Sequence, residues 1–199
     1  MWDYKKNLHD NKISQTRAGE MARKLFLSYP TYAFADEHEV EFSIRDRVRK
    51  IYRIPLSSVQ VTGSAKAGFS LVKKTTFEKG VSDLDLAIID HSMFARLWEA
   101  AHEASNGFDA TKFQDLRGAG EESIIGSGKR KFLDYLQRGI ISPELLPSGR
   151  LRADIIGNFE RVTQDYRHFF SKISAFFYSS EYFFQAKQES AIEQHWEGL

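Results

Sequence analysis

The sequence predicts a mixed fold of the α/β or α+β class, in which strands are interleaved with helices. Three observations predict it. Val59-Gln60-Val61-Thr62 alternates as a strand and runs into Gly63. Leu84 to Ile89 forms a second strand-like run, entered through Ser82-Asp83 and carrying Asp85. Around these runs, apolar residues recur at spacings of three and four, the period of an amphipathic helix.

Taken in order, residues up to about Tyr32 are polar and partly helical, around Thr16 to Ser28. Asp36 to Tyr52 reads as a helix on Val40, Ile44, Val48 and Ile51, with Arg45, Arg47, Arg49 and Lys50 on its other face. Pro55 marks the break before the first strand. Phe69 to Val72 reads as a short strand or a helix start, and Lys73 to Gly80 as a basic loop. After the second strand, Ser92 is an expected N-cap for a helix from Met93 to Ser105, whose apolar face is Phe94, Leu97, Trp98 and Ala101. Asn106 to Gly120 reads as a loop. The next helix starts at about Glu121, or after Gly128, and stops at Gly139. Leu151 to Gly157 is read as a short strand, and Phe159 onward as a helix through Val162, Tyr166, Phe169, Ile173 and Phe176.

Composition excludes several chemistries. The 199-residue chain suits one domain, or a core with a modest helical extension. Its net charge of +1 gives no global field toward nucleic acid or membrane. It contains no cysteine, which excludes disulfides, thiolate zinc sites and cysteine nucleophiles, and fits a reducing cytoplasm. No long apolar span or apolar signal core stands out. The six histidines show no metal-ligand spacing. Gly126-Ser127-Gly128-Lys129-Arg130-Lys131 departs from a P-loop, since Arg130 follows Lys129 where Ser or Thr is required; it reads as a basic helix start.

The chemistry concentrates on Asp83 and Asp85. Side chains at i and i+2 of a strand leave on one face, so both carboxylates point one way while Leu84 and Leu86 point the other. Two adjacent carboxylates stay ionised together only if a cation neutralises them. Oxygen-only ligands suit Mg²⁺, with Mn²⁺ as a substitute, which takes one or two carboxylates and completes its shell with water and substrate phosphates. Upstream, the glycine of the Gly63-Ser64 turn lets the backbone approach a ligand, and the turn's N–H groups with the Ser64 hydroxyl form an anion cradle.

Gly63-Ser64, followed by Ser82-Asp83-Leu84-Asp85, resembles the signature of the DNA polymerase beta-like nucleotidyltransferase superfamily. Within it, the pattern is similar to the bacterial branch of cyclic GMP-AMP synthase-like and oligoadenylate synthase-like enzymes. The match covers the middle third of the chain; the spacer Leu71 to Val81 is longer than in minimal members, and Phe69 interrupts the usual second Gly-Ser or Gly-Thr. The resemblance implies a small mixed sheet flanked by helices: an arm over residues 1–35, a nucleotidyltransferase core over 36–158, and a C-terminal helical extension over 159–199 packed on it. It implies Mg²⁺-dependent transfer of a nucleoside monophosphate from an NTP or dNTP to a hydroxyl acceptor, with loss of pyrophosphate. The product could be a nucleotide second messenger in antiviral defence. Modification of RNA or protein by a toxin/antitoxin-type transferase, and nucleotide binding without catalysis, are the alternatives.

Family members carry a third carboxylate on an adjacent strand, and the resemblance nominates Asp154, on the face shared with Arg152. Its alternative is a surface carboxylate paired with Arg150 or Arg152. Gly63, Ser64, Lys66 and Ser82 are the expected nucleotide contacts, with Lys79 and Lys129 to Lys131 as further cations within reach of a triphosphate. The aromatic block from Phe169 to Phe184 reads as core packing or an interface with a second copy or a protein partner, rather than a base-stacking platform.

Overall fold

The computed structural model describes residues 3–117 and 123–198. The N-terminal segment forms α1 (Tyr4–Ile13) and α2 (Ala18–Arg23), the latter continuing into a wide turn through Ser28. Helix α3 (His38–Tyr52) ends where Arg53 adopts a left-handed conformation. Then come β1 (Val59–Thr62), the short helix α4 (Gly63–Ala67), β2 (Leu84–Ile89) and α5 (His91–Ala104). A two-stranded ribbon, β3 (Leu116–Arg117) with β4 (Ser123–Ile124), precedes α6 (Ser127–Gln137) and β5 (Ile140–Ile141). Helix α7 (Arg150–Asp165), β6 (Ile173–Tyr178) and α8 (Glu181–Glu197) complete the chain. A start for α6 at Glu121 falls outside the described residues; the helix begins at Ser127.

The sheet has the order β1-β2-β6-β5 and is mixed. β1 is antiparallel to β2, β2 is parallel to β6, and β5 is antiparallel to β6. Alternation along the central strands separates two cores. Leu84, Leu86 and Ile88 of β2 and Ile173, Ala175 and Phe177 of β6 pack beneath Ile44 and Val48 of α3, Phe94 and Leu97 of α5, and Phe159 and Val162 of α7. On the opposite face, Ala87 and Tyr178 pack with Met21 and Leu25 of the N-terminal segment and with Phe184 and Ile192 of α8. Asp85 belongs to this second face, because its neighbours Leu84 and Leu86 occupy the first. Among the described residues, no helix is long and apolar enough to cross a membrane.

The fold corrects four expectations. Residues 151–157 are not a strand; they are the first two turns of α7. Ile155, Phe159 and Val162 supply its buried stripe at spacings of four and three, which is helical periodicity. Conversely, the expected helix from Phe159 stops at Asp165, and Ile173–Tyr178 is the strand that lies beside β2. A strand buried on both faces shows continuous apolar sequence, so Ile173 and Phe176 satisfied a helical spacing by coincidence. Asp90, not Ser92, caps α5: its carboxylate accepts the Met93 N–H at 2.8 Å. Trp98, expected on the apolar face of that helix, is exposed. The stop at Gly139 is where the sequence placed it, with φ of +64°.

Candidate functional site

Asp83 and Asp85 line one cavity of about 350 Å³ at the end of the central strands. Its other walls are β6, residues 142–144, and the face of α7 bearing Ile156, Glu160 and Thr163. Each carboxylate is fixed by a serine from the β6 side. Ser171 Oγ donates to Asp83 Oδ1 at 2.6 Å, and Ser174 Oγ donates to Asp85 Oδ1 at 3.1 Å. The parallel register places Ser174 directly opposite Asp85. These serines were missed in the sequence. Their signal was Ser171-Lys172-Ile173-Ser174, polar residues at the mouth of a strand that the periodicity had disguised as a helix.

The Gly63 turn meets Asp85. Antiparallel pairing sets Thr62 opposite Asp85, and the Thr62 hydroxyl donates to the Asp85 carbonyl at 3.2 Å. Gly63 follows with φ of +66°, a left-handed conformation that favours glycine. A Cβ at this position would lie 2.7 Å from Asp85 Oδ2. Glycine is therefore required twice, for the backbone angle and to leave room for that oxygen. Oδ1 of each aspartate is held by serine, and Oδ2 of Asp85 lies against the Gly63 turn; Gly63 and Ser64 themselves are not among the residues that line the cavity.

The cavity lining is acidic on balance. Burial raises the proton affinity of Asp85; the Ser174 hydrogen bond opposes this and the Asp83 charge adds to it. Glu144 and Glu160 line the same cavity, against Lys172 as the one cation among the lining residues. Lys172 is engaged by Glu144 at 2.7 Å, and that hydrogen bond, followed by the Asp83 and Asp85 charges, holds its ammonium protonated. A polyanion enters such a cavity only with its own cation. Among the described residues, no group of three or more acidic, histidine or cysteine side chains could hold a metal ion. The chain thus offers two carboxylates. That donor set fits Mg²⁺ sharing its shell with water and phosphate oxygens, and does not fit an all-protein cage.

Other expected site residues lie elsewhere. Asp154 is 66% exposed on α7 and pairs with Arg150 at 3.4 Å, one helical turn away; it does not line the cavity. The strand expected to carry it is a helix, so the alternation that aimed it at the site does not exist. Lys66 is also removed from the cradle. It is 5% exposed, and its ammonium donates to the Tyr29 carbonyl at 2.7 Å, with burial pulling its pKa down to about 8. Ser82 Oγ accepts the Glu78 N–H at 2.9 Å and so shapes the loop entering β2. Lys79 pairs with Glu37 at 3.1 Å. Ser64 sits half-buried in α4, next to the Gly63–Asp85 contact.

No family model, no curated protein and no solved structure matches this chain.

Proposed function

We propose that this cleft binds a nucleoside triphosphate as its Mg²⁺ complex and transfers the nucleoside monophosphate to an acceptor hydroxyl. The observation that carries the reading is the contact between Gly63 and Asp85 Oδ2. It joins the two halves of the motif, the Gly-Ser turn and the Asp-x-Asp strand, which the sequence separates by about twenty residues. The resemblance to polymerase beta-like nucleotidyltransferases supports the same assignment. Asp83 and Asp85 hold the cation, Ser171 and Ser174 fix their carboxylate planes, and the Gly63-Ser64 turn receives phosphate oxygens on its backbone N–H groups. A bound divalent ion would supply charge neutralisation and Lewis-acid polarisation at the phosphoryl group. Glu160 and Glu144 stand across the cavity, where an acceptor hydroxyl would need a proton acceptor.

The exposure of Asp154 favours a second reading, cation-dependent nucleotide binding without transfer, because the expected third carboxylate is absent from the cavity. One experiment separates the two. The protein is incubated with each NTP and dNTP in Mg²⁺ or Mn²⁺, alone and with added RNA or protein, and products are identified by mass spectrometry. Transfer predicts pyrophosphate and a nucleotidylated product that Asp83→Asn eliminates. Product from nucleotides alone would indicate a signal synthase, and product only with a macromolecule would identify the acceptor. Nucleotide that binds with cation but is recovered intact in every arm assigns the protein to the second reading.

A further inference from the structure

A second cavity, about 500 Å³, lies between the end of α6, β5 and the outer side of α8. Its volume is in the range of small-molecule sites, roughly 300–1,000 Å³. Tyr135, Tyr182 and Phe183 supply rings, Arg138 and Lys187 supply charge, and none of the lining residues is acidic. The fold makes room for this arrangement at Gly139, where a Cβ would fall 2.5 Å from the Phe183 ring. Lys187 is half-buried, with its ammonium 3.9 Å from the centre of the Phe176 ring. Among the described residues, neither the Lys187 nor the Arg138 side chain forms a hydrogen bond or ion pair, and burial, with the Arg138 charge adding to it and the Asp85 charge opposing it, lowers the proton affinity of Lys187. The half-buried Lys187 and the exposed Arg138 thus present two cations to one aromatic cavity with no acidic residue in its lining, an arrangement that suits an anion. Tyr182 is 74% exposed, unlike Phe177, Tyr178 and Phe184, which are buried in the two cores.

We propose that this cavity is a second nucleotide site, distinct from the Asp83–Asp85 cleft, in which Arg138 and Lys187 take the phosphate of a mononucleotide and Tyr182 and Tyr135 flank its base. Aromatic faces stack on bases, and a paired Arg and Lys suit a phosphate. The site needs no metal and does not depend on the acidic cleft being a transferase. The two are nonetheless linked through one wall. Phe176 lines the acidic cavity and carries Lys187 on its ring, and the Asp85 charge pulls on Lys187.

The test is AMP titration in EDTA, followed by calorimetry or by amide NMR shifts. Saturable binding is expected, with adenosine and inorganic phosphate each binding more weakly than AMP. Arg138→Met and Lys187→Met should each weaken AMP at least tenfold, and Tyr182→Ala at least threefold. Arg138 and Tyr182 are exposed, so those two variants report on binding even if Lys187→Met were to destabilise the chain. Asp83→Asn, which disables the cation cleft, should retain the metal-free affinity. No saturable AMP binding at millimolar concentration, or binding indifferent to Arg138 and Tyr182, would overturn the proposal. Binding lost in Asp83→Asn would also overturn it, by moving AMP to the acidic cleft.

Discussion

Replacing Gly63 by alanine probes the junction on which the site depends. Two costs are expected. The residue has φ of +66°, and a left-handed conformation costs an L-residue about 1–2 kcal/mol. The new Cβ would also stand 2.7 Å from Asp85 Oδ2, so the carboxylate must turn away and break its bond from Ser174. A hydrogen bond to a charged group contributes about 1.5–3 kcal/mol. Together these give roughly 3–4 kcal/mol, and a fall in Tm on the order of 10 °C for a chain of this size. Gly126 is the internal control. Its φ is +73°, but a Cβ there meets nothing within 4 Å, so Gly126→Ala should show the backbone cost alone. Urea unfolding followed by tryptophan fluorescence measures both. A double-mutant cycle then isolates the contact: in an Asp85→Ala background, Gly63→Ala should cost no more than Gly126→Ala. Equal losses for Gly63→Ala and Gly126→Ala in the otherwise unaltered protein would refute the contact.

Two further predictions concern buried charge. Asp85→Asn should stabilise the metal-free protein at neutral pH while removing its response to Mg²⁺. Burial raises the carboxylate's pKa in the fold, so wild-type stability relative to the variant is undiminished below the unfolded value and falls as pH rises through the folded one. Thermal melts of both proteins from pH 3 to 8, without metal, read this directly; a variant less stable than wild type at pH 7 would contradict it. Lys66→Met should be more stable than wild type below about pH 8, by on the order of 3 kcal/mol less whatever the lost bond to Tyr29 contributes. Here the folded pKa is lowered to about 8, so the charged lysine is penalised fully below it, and the advantage should shrink as pH rises toward 10.5. A gap constant from pH 7 to 10 would show that Lys66 carries no such penalty.

How much of this was legible in the sequence follows from which residues carry local signals. Gly63 and the Asp83–Asp85 pair could be read because a strand-ending glycine and an i, i+2 carboxylate pair each constrain geometry within a few residues. Their contact required the register of β1 against β2, which the separation of the two segments left open. The neighbour of β2 was misplaced for a physical reason. Ile173–Tyr178 is buried on both faces, so its apolar pattern fits a helix as well as a strand. The density of Ile, Phe and Tyr was the discriminating clue, since β-branched and aromatic residues favour strands. Once that strand was read as helix, the short run at Asp154 took its place. Ser174 and Lys172 then went unnoticed, although they flank the very carboxylates that the motif had singled out. The mixed α/β class survived because it depends on the interleaving of elements rather than on any one boundary.

The most direct measurement is a Mn²⁺ titration followed by electron paramagnetic resonance, with and without ATP, on the wild type, Asp83→Asn and Asp85→Asn. The expected result is weak Mn²⁺ binding by the wild type that tightens strongly when ATP is added, because two carboxylates leave most of the ion's shell to water and phosphate. Both variants should lose the ATP-dependent gain. Mn²⁺ bound equally well by all three proteins, or ATP bound without any cation requirement at this cleft, would show that Asp83 and Asp85 do not form a cation platform.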